Sequence, residues 1–469
     1  MDWADFGVDL HLELDASGGR RAGLERALRD AIRDGRLPPS TRLPATRTLA
    51  TELGLSRGTV SAAYDQLVAE GWLVARVGAG TEVSPLRRAT PAPATPPPGP
   101  PPFRYDLRPG SPDVGLFPVA AWLRATRRAL AVAPTEAYGY GDPRGRPELR
   151  NALAGYLGRA RGVLADPERI VVTTGYVQAL VLLTTVLRDA GTPIVAMEDP
   201  GLAFHREVVR RHGGTVLPLP VDDRGARTDL LGNGHLAQVG ATVVTPAHQY
   251  PTGVTLHPAR RHALADWARS TGGLVVEDDY DGEFRYDRQP VGAVQGTAPE
   301  QVAYVGTAAK TLGPALRLAW LVLPARLVDP VVDAKRHLDL HTEAIGQLAL
   351  ADLIATHGYD RQVRTVRRRY RQRRDLLLDR LGGLGGGSAL SGISAGLHAT
   401  VHLPPDGPPE AEVLAAAAAR GLALGGLGGH RHHPAGRPPG LVVGYARPPS
   451  HAYPAAVDLL GRVLTDLGA

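Results

Sequence analysis

The chain has no cysteine among its 469 residues. That excludes disulfides, thiolate metal centres and cysteine nucleophiles, and it fits a reducing, cytoplasmic setting. The first residues, MDWADFGVDLHLELD, are acidic where a secretory leader is basic, and no apolar run reaches the length of a membrane span. A soluble protein that does not enter a membrane is expected. The length exceeds one ordinary core, so two or three domains are predicted, and a hydrophobic fraction of 43% is enough to fill them.

The net charge of +6 permits a polyanionic partner without identifying one. Residues 1–88 hold 12 Arg against 12 Asp and Glu, yet residues 20–60 carry nine Arg against Glu25, Asp30, Asp34 and Glu52. A locally basic surface on a balanced domain suits contacts to phosphates. Leu24, Leu28, Ala31 and Ile32 recur at helical spacing before Gly35. A second helix is predicted over residues 46–53, then a turn at Gly54-Leu55, then a third helix capped by Ser56 with Val60, Ala63, Tyr64 and Leu67 inward. Gly71 ends it. Trp72-Leu73-Val74 and Thr81-Glu82-Val83 suit a two-stranded wing with Gly78-Ala79-Gly80 at its tip.

The start of the third helix carries Ser56, Arg57, Gly58 and Thr59. Hydroxyls and amides at a helix start suit phosphate, Arg57 has the fork for a guanine edge, and Gly58 lets the backbone approach closely. Arg42, Thr46 and Arg47 lie before and inside the supporting helix, where backbone contacts fall. Each arginine taken alone is equally well a solvated surface residue. Over about 65 residues, though, the segment resembles the GntR-type winged-helix module, through R-L-P-x-T-R-x-L-A-x-E-L-G-L-S-R-G-T-V and the wing G-x-G-T. The resemblance implies a double-stranded DNA operator as partner.

Residues 85–102 contain nine prolines, a composition that builds no core and favours an extended spacer on the order of 50 Å long. The expected organisation is a winged helix over 1–84, a linker over 85–105 and a second domain over 106–469. In that domain, apolar runs at residues 170–172, 194–196, 241–244, 274–276, 302–305 and 318–322 alternate with helical stretches. They read as buried strands of a mostly parallel α/β sheet, whose ligand site lies at the strand ends.

Those ends carry chemistry. Thr174-Gly175-Tyr176-Val177 opens a helix and offers the amides of Gly175, Tyr176 and Val177 to a phosphate. Asp278, Asp279 and Tyr280 end another run, and Thr307, Lys310 and Arg317 follow the next. Pyridoxal 5'-phosphate (PLP) chemistry needs these parts: a lysine for the Schiff base, a carboxylate for the ring nitrogen, a phosphate cup and a donor to the ring oxygen. A lone lysine is usually a surface ammonium and an Asp pair usually a turn. Nearly the whole chain, however, resembles the MocR-type regulators, which join a GntR-type winged helix to a fold-type-I aminotransferase-like domain. The resemblance rests on Tyr140 to Gly145 with Leu149-Arg150, on Thr245 to Gly253, on Glu277 to Tyr286, and on GTAAKTLGPALRLAW. It implies Lys310 as the Schiff-base lysine, Asp278 on the ring nitrogen, Tyr280 on the ring oxygen, and Thr307, Arg317 and the amides of Gly175, Tyr176 and Val177 on the phosphate. Asp279 is the alternative to Asp278. The implied fold is a mostly parallel central sheet with a smaller C-terminal α+β part, and the implied assembly is a homodimer.

Tyr176, Val177, Ala308-Ala309 and Leu202 depart from the pattern and remove polar groups and a stacking surface, which predicts a cofactor held less firmly than in an enzyme. Arg437 is the candidate for the carboxylate of an amino acid effector, with Arg431 second. No metal site is expected at His430-Arg431-His432-His433, since a glycine-rich loop without an adjacent acid is a poor frame. The nine arginines of residues 361–380 read as the solvated face of an amphipathic helix. The resulting expectation is a transcriptional regulator that senses PLP or a PLP adduct of a small amine. Its rival is an active aminotransferase with an accessory DNA-binding domain.

Overall fold

A computed structural model describes residues 19–76, 80–85, 103–286, 291–382, 389–392 and 394–468. The chain divides into two compact units, Met1–Pro100 and Pro101–Ala469.

The first unit contains α1 (Arg20–Arg33), α2 (Thr46–Glu52), α3 (Arg57–Ala69) and the antiparallel hairpin β1 (Leu73–Arg76) and β2 (Gly80–Val83). Its core takes Leu24, Leu28 and Ala31 from α1, Leu49 from α2, the predicted face Val60, Ala63, Tyr64 and Leu67 of α3, and Trp72 from the wing. Ser56 caps α3 as predicted, its Oγ accepting from the Thr59 amide at 3.1 Å. Segment 41–43 runs along the wing as a third extended stretch, with the Leu43 amide donating to the Thr81 carbonyl and the Val83 amide to the Thr41 carbonyl, both at 2.8 Å. Two residues of the predicted tip, Gly78 and Ala79, and the linker from 86 to 102 lie outside the described residues.

In the second unit β3 (Tyr105–Asp106) is followed by α4 (Val119–Val132), α5 (Pro147–Arg161), β4 (Ile170–Thr173), α6 (Tyr176–Asp189), β5 (Ile194–Asp199), α7 (Ala203–Arg211), β6 (Thr215–Asp222) and β7 (Gly225–Ala226). Then come β8 (Ala241–Val244), α8 (Pro258–Thr271), β9 (Leu274–Asp279), β10 (Val302–Thr307), β11 (Ala319–Val322), α9 (Ala325–Asp339), α10 (Ala344–Ala355) and α11 (Gly358–Leu381). The C-terminal part holds β12 (Ala389–Ser391), β13 (His398–His402), α12 (Glu410–Ala419), β14 (Leu422–Ala423), β15 (Gly425–Gly426), β16 (Gly440–Gly444) and α13 (Tyr453–Leu467).

Eight strands form the large sheet in the order β4-β11-β10-β9-β8-β5-β6-β7. Neighbouring residues of a strand enter different cores, as their period of two requires: Val171 faces the side of α6 and α9, whereas Ile170 and Val172 face α5 and α10. The sheet is mostly parallel, as expected, but β11 runs antiparallel to both β10 and β4, and β7 antiparallel to β6. Residues 308–318 are too few for a crossover, so the chain returns directly and the lysine loop becomes a strand-to-strand connection. The β6–β7 edge is not legible in the sequence, because Pro218 and Pro220 interrupt its apolar pattern. A four-stranded antiparallel sheet, β12-β13-β16-β15, packs with α11, α12 and α13 around Tyr370, Leu377, Val413, Val443 and Leu460.

Candidate functional site

The carboxyl ends of β4, β5, β8, β9 and β10 open onto a cavity of about 290 Å³. Gly175, Tyr176, Val177, Asp278, Tyr280, Thr307, Lys310 and Arg317 all line it. One end is built for an anion. Gly175 precedes α6 with φ of +139°, a backbone few other residues adopt, and a Cβ there would lie 3.0 Å from the Arg317 guanidinium. No side chain caps the first amides of α6, so they and Arg317 converge on one place. The Thr307 hydroxyl accepts from the Ala309 amide at 3.1 Å and fixes the lysine loop. Gly306 is required, since any side chain would collide with the Trp320 indole.

At the other end Asp278 is buried, and burial together with the Asp279 charge pushes its carboxyl well above the ordinary carboxylate range, against the nearby Lys310. Such a group gains from a cation placed beside it. Asp279 is committed elsewhere. It takes Arg161 Nε at 2.7 Å and the Tyr304 hydroxyl at 2.7 Å in a fully enclosed pair, and it does not line the cavity. Of the two aspartates, only Asp278 faces the cavity. Burial lowers the Lys310 ammonium from its usual value, with Asp281 and Asp278 opposing, and its Nζ donates to the Gly110 carbonyl. The Tyr280 hydroxyl donates to the His248 carbonyl at 3.0 Å, and His248 Nδ1 sits 2.8 Å from Asp281.

Among the lining residues that sequence reasoning missed are Glu198, His205, Arg206, Tyr250 and His398. Glu198 and His205 flank the end of β5, so the strand-end rule that singled out the others would have found them. Leu202 offers no ring, as expected, yet Tyr176 and His205 stack at 4.4 Å between centroids and supply an aromatic surface. Burial drives the His205 imidazole down to about 3, with Lys310 adding to the effect, so the ring is neutral. Burial raises Glu198 to about 7, although Thr245 and Gln249 donate hydrogen bonds that work the other way. Arg206 binds three carbonyls, those of Gly201, His430 and Arg431, at 2.9 to 3.1 Å. Arg437 and Arg431 are not brought to the cavity wall. Arg437 is exposed, and Arg431 is half-buried on the same loop. The backbone amide of His432 donates to Asp199 at 2.9 Å.

In the first unit Arg57 and Gly58 open α3 in exposed positions, beside Ser56, whose hydroxyl lies 2.8 Å from that of Thr59. Arg47 is exposed on α2, and Thr46 begins that helix half-buried. Arg42 is exposed, and its guanidinium rests against the wing, where a Cβ on Gly80 would lie 3.3 Å from its Nε. Helix start, supporting helix and the segment against the wing thus present Arg57, Arg47 and Arg42, and the wing strand adds exposed Arg76. Among the described residues no helix is long and apolar enough to cross a membrane.

The family of bacterial regulatory proteins of gntR type matches residues 21–83, and aminotransferase class I and II matches residues 106–419. The chain is 34% identical to the HTH-type pyridoxine biosynthesis transcriptional regulator PdxR of Corynebacterium glutamicum, over 90% of this chain and 91% of that one. It is 34% identical to the probable rhizopine catabolism regulatory protein MocR of Rhizobium meliloti, over 79% and 78%. Among solved structures, the α-aminoadipate aminotransferase LysN of Thermus thermophilus, in complex with N-(5'-phosphopyridoxyl)-L-leucine, aligns with a TM-score of 0.68 at 25% identity. That alignment covers 78% of this chain and 93% of LysN.

Proposed function

We infer the workings of this chain from the family it belongs to, the MocR-type transcriptional regulators that join a GntR-type winged helix to an aminotransferase class I/II domain. The first unit binds a double-stranded operator, with Arg57, Gly58 and the Ser56 and Thr59 hydroxyls at base edges and nearby phosphates. Arg42, Thr46 and Arg47 hold the backbone. The second unit takes PLP as a signal, alone or joined to a small amine or amino acid.

The observation that carries this reading is the convergence of all eight cofactor candidates on one cavity. Its residues fit the group. The amides at the start of α6, Thr307 and Arg317 would hold a phosphate, Asp278 would keep a proton on a ring nitrogen, and Tyr280 would meet a ring oxygen. The Tyr176–His205 stack sets one wall. Bound there, PLP supplies an aldehyde that links reversibly to amines and a ring that accepts electrons. The chain contributes an amine with a lowered pKa, Lys310, which releases its proton readily and so serves as nucleophile. Lys335, the other lysine of the chain, is fully buried on α9 and pairs with Asp339 at 2.7 Å. Arg437, exposed on the loop that follows His430, is the guanidinium offered to an effector carboxylate. A homodimer is supported by the exposed apolar side chains Val119, Leu123, Tyr138, Leu338 and Leu340.

Regulation requires only that the ligand prefer one arrangement of the protein, and a coupling of about 1–3 kcal/mol is enough. The test is a PLP titration read twice, by absorbance near the imine band and by DNA affinity. We expect affinity to change about fivefold or more where keto acid production is negligible. Turnover of an amino acid with DNA affinity indifferent to PLP overturns the reading.

A further inference from the structure

Helix α11 buries Tyr359, Gln362, Val363, Val366, Tyr370 and Leu377. Its opposite face carries Arg361, Arg364, Arg368 and Arg371, all exposed, in steps of three and four residues that form one stripe. Neutral Thr365 and Gln372 lie beside them, and the acids nearest this face are Asp360 at its start, committed to Arg159 at 3.0 Å, and Asp375, 3.8 Å from Arg371. Arg364 and Arg368 make no ion pair or side-chain hydrogen bond among the described residues. Around Arg361 a recess of the same unit is lined by Arg124 and Arg128 of α4, of which only Arg128 has an acidic partner, Asp352.

Like charges at these spacings destabilise a helix, and a face serving solubility alone mixes signs. Arginines elsewhere on α11 do find partners. Arg373 reaches Asp113 at 2.7 Å, and Arg380 approaches Asp458 at 3.4 Å. The four stripe residues span about 15 Å of helix axis, a length over which duplex DNA presents about nine phosphate charges.

We propose that the arginine face of α11, continued by Arg124 and Arg128 of α4, is a second DNA-binding surface that holds the phosphate backbone of duplex DNA without reading its sequence. The occupant is DNA because the chain belongs to DNA-binding regulators and because the stripe is complementary to a duplex in sign and length. The proposal rests on the reading of the first unit as an operator-binding unit. Once that unit is engaged, adjoining duplex is at high local concentration, and weak, salt-sensitive contacts suffice.

The test uses the full-length protein and a random-sequence duplex of about 60 base pairs, over a salt series. R364E/R368E should lower affinity about tenfold at low salt and flatten the log–log salt slope by about two, one for each phosphate no longer neutralised. R364K/R368K should stay near wild type. The equally charged change R210E/R211E on α7 should cost at most about twofold. Because the chain lacks cysteine, Q372C carrying a DNA-cleaving iron chelate gives a direct readout, and cuts in bound duplex are expected. An unchanged slope for R364E/R368E, or an equal loss for R210E/R211E, overturns the proposal. R42A/R47A without loss of affinity would instead overturn the operator reading of the first unit and leave the α11 outcome to be judged separately.

Discussion

The two units solve opposite problems with the same residue type. In the winged helix Arg42, Arg47 and Arg57 stand in water, where they act at a distance and weaken as salt rises. In the second unit Arg161 and Arg206 are enclosed and tied to an aspartate or to carbonyls, so they hold shape. An arginine's role therefore follows from what surrounds it, which composition does not report. In the second unit four groups with shifted protonation, Asp278, Glu198, His205 and Lys310, line one cavity.

The sharpest way to break this contrast is at Lys310. Lys310→Ala should abolish borohydride-trapped attachment of pyridoxal completely while circular dichroism stays native. A trapped adduct on Lys335 or the amino terminus in that variant would remove Lys310 from its role. Next in size is the enclosed pair. Arg161→Met leaves Asp279 uncompensated beside buried Glu277 and Glu283, and should cost about 3–5 kcal/mol in denaturant unfolding. A loss under about 1 kcal/mol would mean that water reaches the site.

On the exposed side the effects are smaller. Arg57→Ala should lower discrimination between operator and random DNA by about 1–3 kcal/mol, whereas Arg42→Ala should weaken both and flatten the salt slope by about one. Equal losses on both DNAs for the two variants would erase the division between base reading and backbone holding. The smallest effect concerns pH. Glu198 titrates near 7 in the folded chain and near 4.5 in the unfolded one, so the folded state binds the extra proton between those values. Its contribution to stability is therefore full below 4.5 and declines as pH rises through 7. Glu198→Gln should flatten the melting temperature across pH of about 5 to 7.5, and an unchanged slope would assign that proton to Glu277 or Glu283.

Much of this is legible in the sequence because the informative residues sit where backbone rules place them. Ser56 announces α3 by its capping chemistry, and the face of Val60, Ala63, Tyr64 and Leu67 follows from helical periodicity. Gly175 and Lys310 stand out by their positions at strand ends. What escapes depends on contacts between distant segments. That Asp278 and not Asp279 faces the cavity is decided by Arg161, 118 positions away, and no local pattern carries that information. Arg437 is near β16 in sequence, yet the loop from 428 to 438 turns it outward. The antiparallel return of β11 is hidden in the same way, because an apolar run has no direction until its neighbours are known.

The hydrogen bond from Lys310 Nζ to the Gly110 carbonyl has a mechanical side. Gly110 belongs to the stretch by which the chain enters the second unit. Leu107 fastens that stretch to the C-terminal part, its amide donating to the Ala423 carbonyl at 2.9 Å and its carbonyl accepting from the Gly444 amide at 2.7 Å. The proline tract and the winged helix precede it in sequence. Lys310 and this entry stretch are thus joined, and an Nζ bonded to a second carbon would have fewer protons to offer the Gly110 carbonyl. The amine at the cavity is also a stitch in the seam by which the chain enters the second unit.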